Sequence, residues 1–433
     1  MLTPRLRRVA DEYFRLIQAD VPFQELAWSF YLFISRLDAE LVDSSAEHVL
    51  FFSREGKLLK EMFDVYQGSA LPSRSRARTH YFEVSRRSTF LLSCRPLEAE
   101  NFSNLFRQYR KISLADFLKS LSLEEHLEEL ADDLRLPGAA LEEVSDDLPT
   151  DPRFKALMRS GRFRQAYSDG RVERSKAFSK YLFDTFSGSI PKQLHVVDVG
   201  WKGTIQDNLF AWFDREFGED AKIAGHYLGL IAGGTTHNRN QKKGLLFSYL
   251  HRSTPAFYAF NENRSLFEIV LPADHGSPRQ YIIEPDGTCR ILHDCFRERE
   301  IIHRIIWPIS RAILANFNLI HSLQKNIGLS LTEIAELAAH FHKRLVFRPT
   351  AAEIEWMEST SHFENFGVFQ ESRFVRDRKM GLAERFKYTW QLVSRRQLGE
   401  AGFWPWLAIR QQALPGMSFL YRCYRIQQMS FRK

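Results

Sequence analysis

The chain has 433 residues, 44% of them apolar and 26% charged, with a formal net charge of +7. This is the balance of a globular protein long enough for more than one lobe, and it excludes a disordered or fibrous chain. The four cysteines, Cys94, Cys289, Cys295 and Cys423, form no CxxC pair, which argues against a zinc ribbon or disulfide framework and suits a reducing cytoplasm.

Residues 1–45 read as two helices. Asp11 and Glu12 follow the basic start where a signal peptide would need an apolar run, so none is expected. No segment reaches the roughly 18 consecutive apolar residues of a membrane span. Over Pro22–Leu41, Phe23, Leu26, Ala27, Phe30, Phe33 and Ile34 recur at helical spacing. Residues 46–97 hold the first part of an α/β core. Glu47–Phe52 is a short apolar run that ends in Ser53-Arg54-Glu55-Gly56, and the amphipathic stretch Lys57–Tyr66 follows. This pattern predicts strand, tight loop, helix. Arg78–Val84 is a second strand, closed by Ser85-Arg86-Arg87-Ser88.

Residues 98–190 predict a helical insertion or cap, punctuated by Leu136-Pro137-Gly138 and Leu148-Pro149. Within it, Leu121–Asp151 carries 11 Asp/Glu against one Arg. Sheet signals resume over 191–295. They comprise a strand at Gln193–Gly200, a helix over about 203–213, a strand-type run at Lys222–Ile231, and a hairpin at Arg279–Leu292 around Pro285-Asp286-Gly287. Residues 296–433 return to helix, with a break near Phe363–Phe369. The final stretch from Ser372 has 13 Lys/Arg against 3 Asp/Glu, a local +10. Its segments Gly402-Phe403-Trp404-Pro405-Trp406-Leu407 and Phe419–Arg425 mix aromatics with arginine. Two readings fit this tail: an interfacial helix on anionic lipid, or an amphipathic helix docked on the core. The alternation of strands and helices predicts a Rossmann-like parallel α/β sheet, with a helical insertion and helical extensions at both ends.

The sharpest motif is Leu194–Gln206. A buried strand delivers Asp198 to its carboxyl end, Gly200 and Gly203 permit a tight turn, Lys202 adds a charge, and Thr204 opens a helix whose N-terminus attracts anions. It is neither a P-loop nor GxGxxG. Ser53–Gly56 and Ser85–Arg87 occupy the same place after their own strands. If the strands are parallel, all three loops share one sheet edge, and Arg54, Arg86, Arg87 and Lys202 converge beside Asp198 and Glu55. Such a set suits a diphosphate and its Mg²⁺.

The triplet FFSREGKLL, YFEVSRRS and VVDVGWKGTIQ resembles a domain of bacterial polysaccharide-biosynthesis clusters, often fused to a phosphatase of the haloacid dehalogenase type. Related domains read FLSRDGYFL, YxxxSRR and VDIGWxGTxQ. The resemblance covers about residues 47–276 and includes Asn263–Glu268 and His275-Gly276-Ser277. That domain in turn looks like a divergent type I phosphoribosyltransferase.

The resemblance implies a glycosyltransferase that moves ribose 5-phosphate from phosphoribosyl pyrophosphate to a glycan hydroxyl in O-antigen or capsule synthesis. It implies that Asp198 meets the ribose hydroxyls, and that Gly200, Lys202, Gly203 and Thr204 hold the 5-phosphate. Ser53, Arg54, Glu55 and Gly56 would form the pyrophosphate loop, with Arg86 and Arg87 neutralising the leaving group. Two departures stand out: phosphoribosyltransferases carry two adjacent acids and a TGxT ending, whereas here one acid precedes Gly200-Trp201-Lys202-Gly203-Thr204. No DxDxT phosphatase motif is present, so any dephosphorylation falls to a separate protein. A general base is expected at Glu268 or His275, with Glu262 and Arg264 as weaker candidates. A lipid-linked or oligosaccharide acceptor would place the protein in the cytoplasm, with peripheral attachment to the inner membrane through the tail.

Three alternatives remain open at this level. A sugar-nucleotide-dependent glycosyltransferase would share the α/β core and phosphate loops. A non-catalytic nucleic-acid or anionic-polymer binder would use the basic tail, but no nucleic-acid module is recognisable. A phosphohydrolase would need the missing nucleophile motif.

Overall fold

The computed structural model describes residues 2–431 apart from 19–20, 69–75, 108, 235–236, 253, 366–368, 374–379 and 396–403. Strands β1 (His48–Phe52), β2 (Arg78–Phe82), β3 (Gln193–Asp198), β4 (Lys222–Leu230) and β5 (Asn240–Ser248) form one sheet in the order β2-β1-β3-β4-β5. Every pairing is parallel. The chain is therefore mixed α/β, built on a five-stranded parallel sheet.

Parallel strands with both faces covered read as nearly continuous apolar runs, and β1 does so. Its side chains alternate between two cores. Val49 and Phe51 join Val197 and Val199 on one face, while Leu50 and Phe52 join Val196 and Phe82 on the other. Helices Leu26–Asp43, Gly56–Gly68, Trp307–Ile327 and Leu331–Phe347 cover the first face. Helices Gly161–Thr185 and Thr204–Phe217 cover the second, together with a hairpin of β6 (Pro278–Ile283) and β7 (Cys289–His293).

The helical stretch between β2 and β3 has a core of its own. It is rich in phenylalanine, with Phe102, Phe106, Phe117 and Phe154 meeting mostly edge to face. Strand β5 has no counterpart in the sequence reading. Its first half is polar, because Gln241 and Lys243 are exposed while the Asn240 and Lys242 side chains are buried against Gln206 and Asp207, so the apolar signal starts only at Leu245.

The C-terminal tail divides in two. Trp404 and Trp406 are buried, and the Trp404 indole donates to the Val346 carbonyl at 2.9 Å. These aromatics belong to the core, so they are removed from any membrane surface; Gly402 and Phe403 lie outside the described residues. Farther on, Tyr421 and Arg425 are buried, while Phe419, Leu420 and Tyr424 of helix Met417–Phe431 are exposed. Helix Leu382–Ser394 likewise exposes Leu382, Phe386, Trp390 and Val393. The expected break near Phe363–Phe369 contains an antiparallel pair, Ser361–Asn365 with Phe369–Arg373, whose connecting residues are not described. Among the described residues, no helix is long and apolar enough to cross a membrane.

Candidate active site

From β1 the chain passes outward to β2, then returns to place β3 on the other side of β1. The strand order reverses there, and open α/β sheets bind ligands at the carboxyl ends of strands beside such a reversal. A cavity of ≈ 210 Å³ occupies that place. It is smaller than the roughly 300–1,000 Å³ of drug-sized sites, which leaves room for a small polar ligand.

Three loops from distant parts of the chain line it. They are Ser53-Arg54-Glu55 after β1, Ser85-Arg86 after β2 and Asp198-Val199-Gly200 after β3. Each is held for a local reason. The Ser53 amide and hydroxyl donate to the Phe82 and Val84 carbonyls at 2.9 and 2.8 Å, tying the first loop to the second. Ser85 and Ser88 form a capping box that starts a helix directly after β2, so Arg86 is its first residue. The Gly229 amide donates to the Val199 carbonyl at 3.1 Å, which straps the third loop to β4. Gly200 has φ +139°, and a Cβ there would fall 2.3 Å from the Gly229 carbonyl oxygen, so only glycine fits.

The far wall comes from Glu268, Leu271, Gly276 and Ser277, and from Asp294, Arg297 and Glu298 beyond β7. The last three escaped the sequence reading. They sit in the charged run His293–Glu300, and nothing local in that run ties it to the sheet edge.

Burial dominates the electrostatics. It pushes the Asp198 carboxyl up to about 8, with the Glu55 charge adding to the rise and the Val199 amide and Arg86 opposing it. Burial also pushes Glu268 up to about 8, again with Glu55 adding and Arg86 opposing. The two carboxyls thus share one acidic and one basic neighbour. Arg54 donates to Glu298 at 2.6 Å. The ionisable groups lining the cavity are Arg54, Arg86 and Arg297 against Glu55, Asp198, Glu268, Asp294 and Glu298. Carboxyls outnumber guanidiniums, so an anionic ligand would need a bridging cation or protonated acids.

Several predicted residues lie elsewhere. Arg87 is buried, donating to Asp294 at 2.6 Å, to the Lys119 carbonyl at 2.8 Å and to Glu124. It anchors the cavity's Asp294 from behind and is not on the wall. Consecutive helical residues point about 100° apart, so Arg86 and Arg87 diverge. Lys202 is exposed, and Lys202, Gly203 and Thr204 continue the turn away from the cavity. Gly203 has φ +70°, and the buried Lys242 side chain lies beneath it, 2.7 Å from where a Cβ would stand. Lys242 pairs with Asp207 in the first turn of the following helix.

Gly56 is a packing glycine, since its Cβ would fall 2.7 Å from the Phe51 carbonyl carbon. His275 lies off the cavity wall, with Nδ1 2.7 Å from the Gly276 carbonyl and Nε2 2.7 Å from the Tyr81 hydroxyl. Glu262 is fully engaged with Tyr421 and Arg425. Arg264 sits 6.0 Å from the Trp201 ring centre.

The chain matches no protein-family model and no curated protein, so its chemistry is read from these residues. Two carboxyls pushed up to about 8 by burial are suited to proton transfer. Arg54 and Arg86 place guanidinium groups on the cavity wall, that of Arg54 paired with Glu298.

Proposed function

We propose that the chain is a phosphoribosyltransferase-like glycosyltransferase of polysaccharide biosynthesis, transferring ribose 5-phosphate from phosphoribosyl pyrophosphate to a glycan hydroxyl. The observation that carries this reading is the convergence of the three strand-end loops on one cavity, whose wall also carries Asp198, Glu268 and Arg86. The resemblance of the same three loops to the polysaccharide-biosynthesis domain points the same way.

In this reading Asp198 holds the ribose hydroxyls and orients C1. Gly200, which lines the cavity, seats the 5-phosphate; Lys202, Gly203 and Thr204, which turn away from it, drop out of this role. Ser53, Arg54 and Arg86 receive the diphosphate, and Arg87 acts through Asp294 instead of touching the donor. Mg²⁺, held by Glu55 and Asp198, would offset the leaving diphosphate's charge. That requirement agrees with a wall that has more carboxyls than arginines. Glu268 replaces His275 as the base for the acceptor hydroxyl, since it alone of the two lines the cavity. Direct displacement converts the α-donor to a β-ribofuranosyl 5-phosphate, which a separate phosphatase would then trim.

The exposed apolar residues Phe386, Trp390, Phe419 and Leu420, set in the basic tail, would rest on an anionic inner-membrane surface and bring the site to a lipid-linked acceptor.

The test is calorimetry of phosphoribosyl pyrophosphate with Mg²⁺, followed by pyrophosphate release with a panel of glycan acceptors, for wild type and Asp198→Ala. Binding and release that collapse in the variant are expected. A nucleotide sugar that binds where phosphoribosyl pyrophosphate does not would replace the donor and favour a sugar-nucleotide-dependent enzyme.

A further inference from the structure

Outside the cavity, one cluster of side chains has the composition of a metal site. Glu83 follows β2, His275 precedes β6, and His293 ends β7. The three come from segments far apart in sequence, yet one ligand atom from each lies within 4.8 Å of the others. Glu83 Oε2 is 3.7 Å from His275 Nε2 and 2.6 Å from His293 Nε2. The two imidazole centres are 4.7 Å apart. We propose that Glu83, His275 and His293 bind one divalent transition-metal ion of the zinc class.

The chemistry of the donors selects the ion. Two imidazoles and one carboxylate suit Zn²⁺ or Co²⁺, whereas Mg²⁺ and Ca²⁺ take all-oxygen sets. The spacing agrees. Two ligands about 2.1 Å from a tetrahedral ion stand about 3.4 Å apart, close to the 3.7 Å between Glu83 and His275. The Glu83–His293 contact must open by less than about 1 Å to reach the same separation.

The orientation of His275 is a second, independent sign. Its Nδ1 lies 2.7 Å from the Gly276 carbonyl, which can only accept a hydrogen bond. The Nδ1 therefore carries the proton, and the Nε2 lone pair faces Glu83 and the Tyr81 hydroxyl. A backbone carbonyl that holds the far nitrogen is the usual support of a metal-bound histidine. On loading, the Tyr81 hydroxyl yields the Nε2 lone pair to the ion, and His293 takes the tautomer protonated at Nδ1, so that its Nε2 lone pair also faces the ion. Side-chain exposures of 21–29% across the three residues give the ion a path in. Three protein ligands leave a fourth position for water, next to the Tyr81 hydroxyl.

The placement gives the site a consequence. Gly276, Ser277, Asp294 and Cys295 adjoin His275 and His293 in sequence and line the cavity. An ion here would pin the hairpin to the end of β2 and so fix the cavity's far wall. This site does not depend on the identity of the donor.

The test uses the untagged full chain, stripped with chelator and titrated with Zn²⁺ by calorimetry and with Co²⁺ by absorption spectroscopy. One ion per chain, with the visible bands of low-coordinate Co²⁺ and a raised Tm, is expected. His293→Ala and Glu83→Gln should weaken binding at least about tenfold. His293→Gln, which keeps a hydrogen-bonding side chain, controls for folding, and circular dichroism checks each variant. Mg²⁺ should reproduce none of these signals. The proposal is overturned if wild type binds no Zn²⁺ or Co²⁺, or if a folded His293→Gln or His293→Ala protein binds the same ion with unchanged affinity. Donor binding measured separately shows whether the cavity reading stands regardless.

Discussion

Among the places where this molecule buries carboxyl groups, two do so to different ends. In the helical half, the Glu262 side chain is shut away from solvent and saturated with donors. The Tyr421 hydroxyl reaches both its oxygens at 2.8 and 3.0 Å, and Arg425 adds two bonds at 2.9 and 2.8 Å. Burial pushes its pKa up and the Arg425 guanidinium pulls it back. At the sheet edge, Asp198 is buried and Glu268 half-buried, but they gather with Glu55, Asp294 and Glu298 around three arginines. The first arrangement is complete in itself and ties the last helix to the core. The second lacks positive charge, and a ligand with its cation would supply it. An acid enclosed by its own donors reads as structure, and a cavity wall on which acids outnumber arginines reads as a site.

The sharpest way to break this contrast is to remove Arg425. Arg425→Ala leaves Glu262 buried without its cation, and a loss of about 3–5 kcal/mol in urea unfolding is expected. A loss below about 1 kcal/mol would place Glu262 in the same class as the cavity acids. Asp198→Asn should do the opposite: it keeps the fold and lowers pyrophosphate release about 100-fold or more, on the order of 2.7 kcal/mol of barrier. Unfolding of this variant at 25 °C would make Asp198 a structural acid. Gly203→Ala forces a side chain into a left-handed backbone and onto Lys242. It should cost about 1–3 kcal/mol by thermal denaturation.

The smallest effect concerns pH. Glu268 has a folded pKa of about 8 against an ordinary value of 4.5. Above 4.5 the unfolded chain gives up this proton while the folded chain keeps it. The stability this group contributes is therefore full below about 4.5 and is lost as pH rises towards 8. Glu268→Gln removes that loss. The variant should be more stable than wild type at pH 8, by a margin that shrinks on going to pH 5. An equal difference at both pH values would show that Glu268 is not the group held protonated.

Much of the sheet was legible because a doubly covered parallel strand leaves a strong local trace. The runs at His48–Phe52 and Gln193–Asp198 are apolar on both faces, and each ends in a turn that needs a glycine close by. Parallel pairing then places their loops on one edge. Arg86 and Arg87 show where that logic stops. They are adjacent in sequence and chemically alike, yet a single helical step sends one to the cavity and the other to Asp294 and Glu124. The tail shows it again. Trp404 and Phe419 both fitted either reading of the tail, interfacial or docked, but Trp404 meets a pocket that ends in the Val346 carbonyl and Phe419 meets solvent.

By itself, then, the amino-acid sequence determined the strand-turn-helix units, the identity of Asp198 as a strand-end acid, and the glycines its turn requires. These depend on period, turn chemistry and backbone sterics within a few residues. The tertiary structure decided which charges share a cavity. It brought Glu268 and the run Asp294–Glu298 against the loops of β1, β2 and β3, and it set Glu83 beside His275 and His293. Those outcomes depend on how layers pack across more than 200 residues of chain, and on the desolvation that this packing imposes.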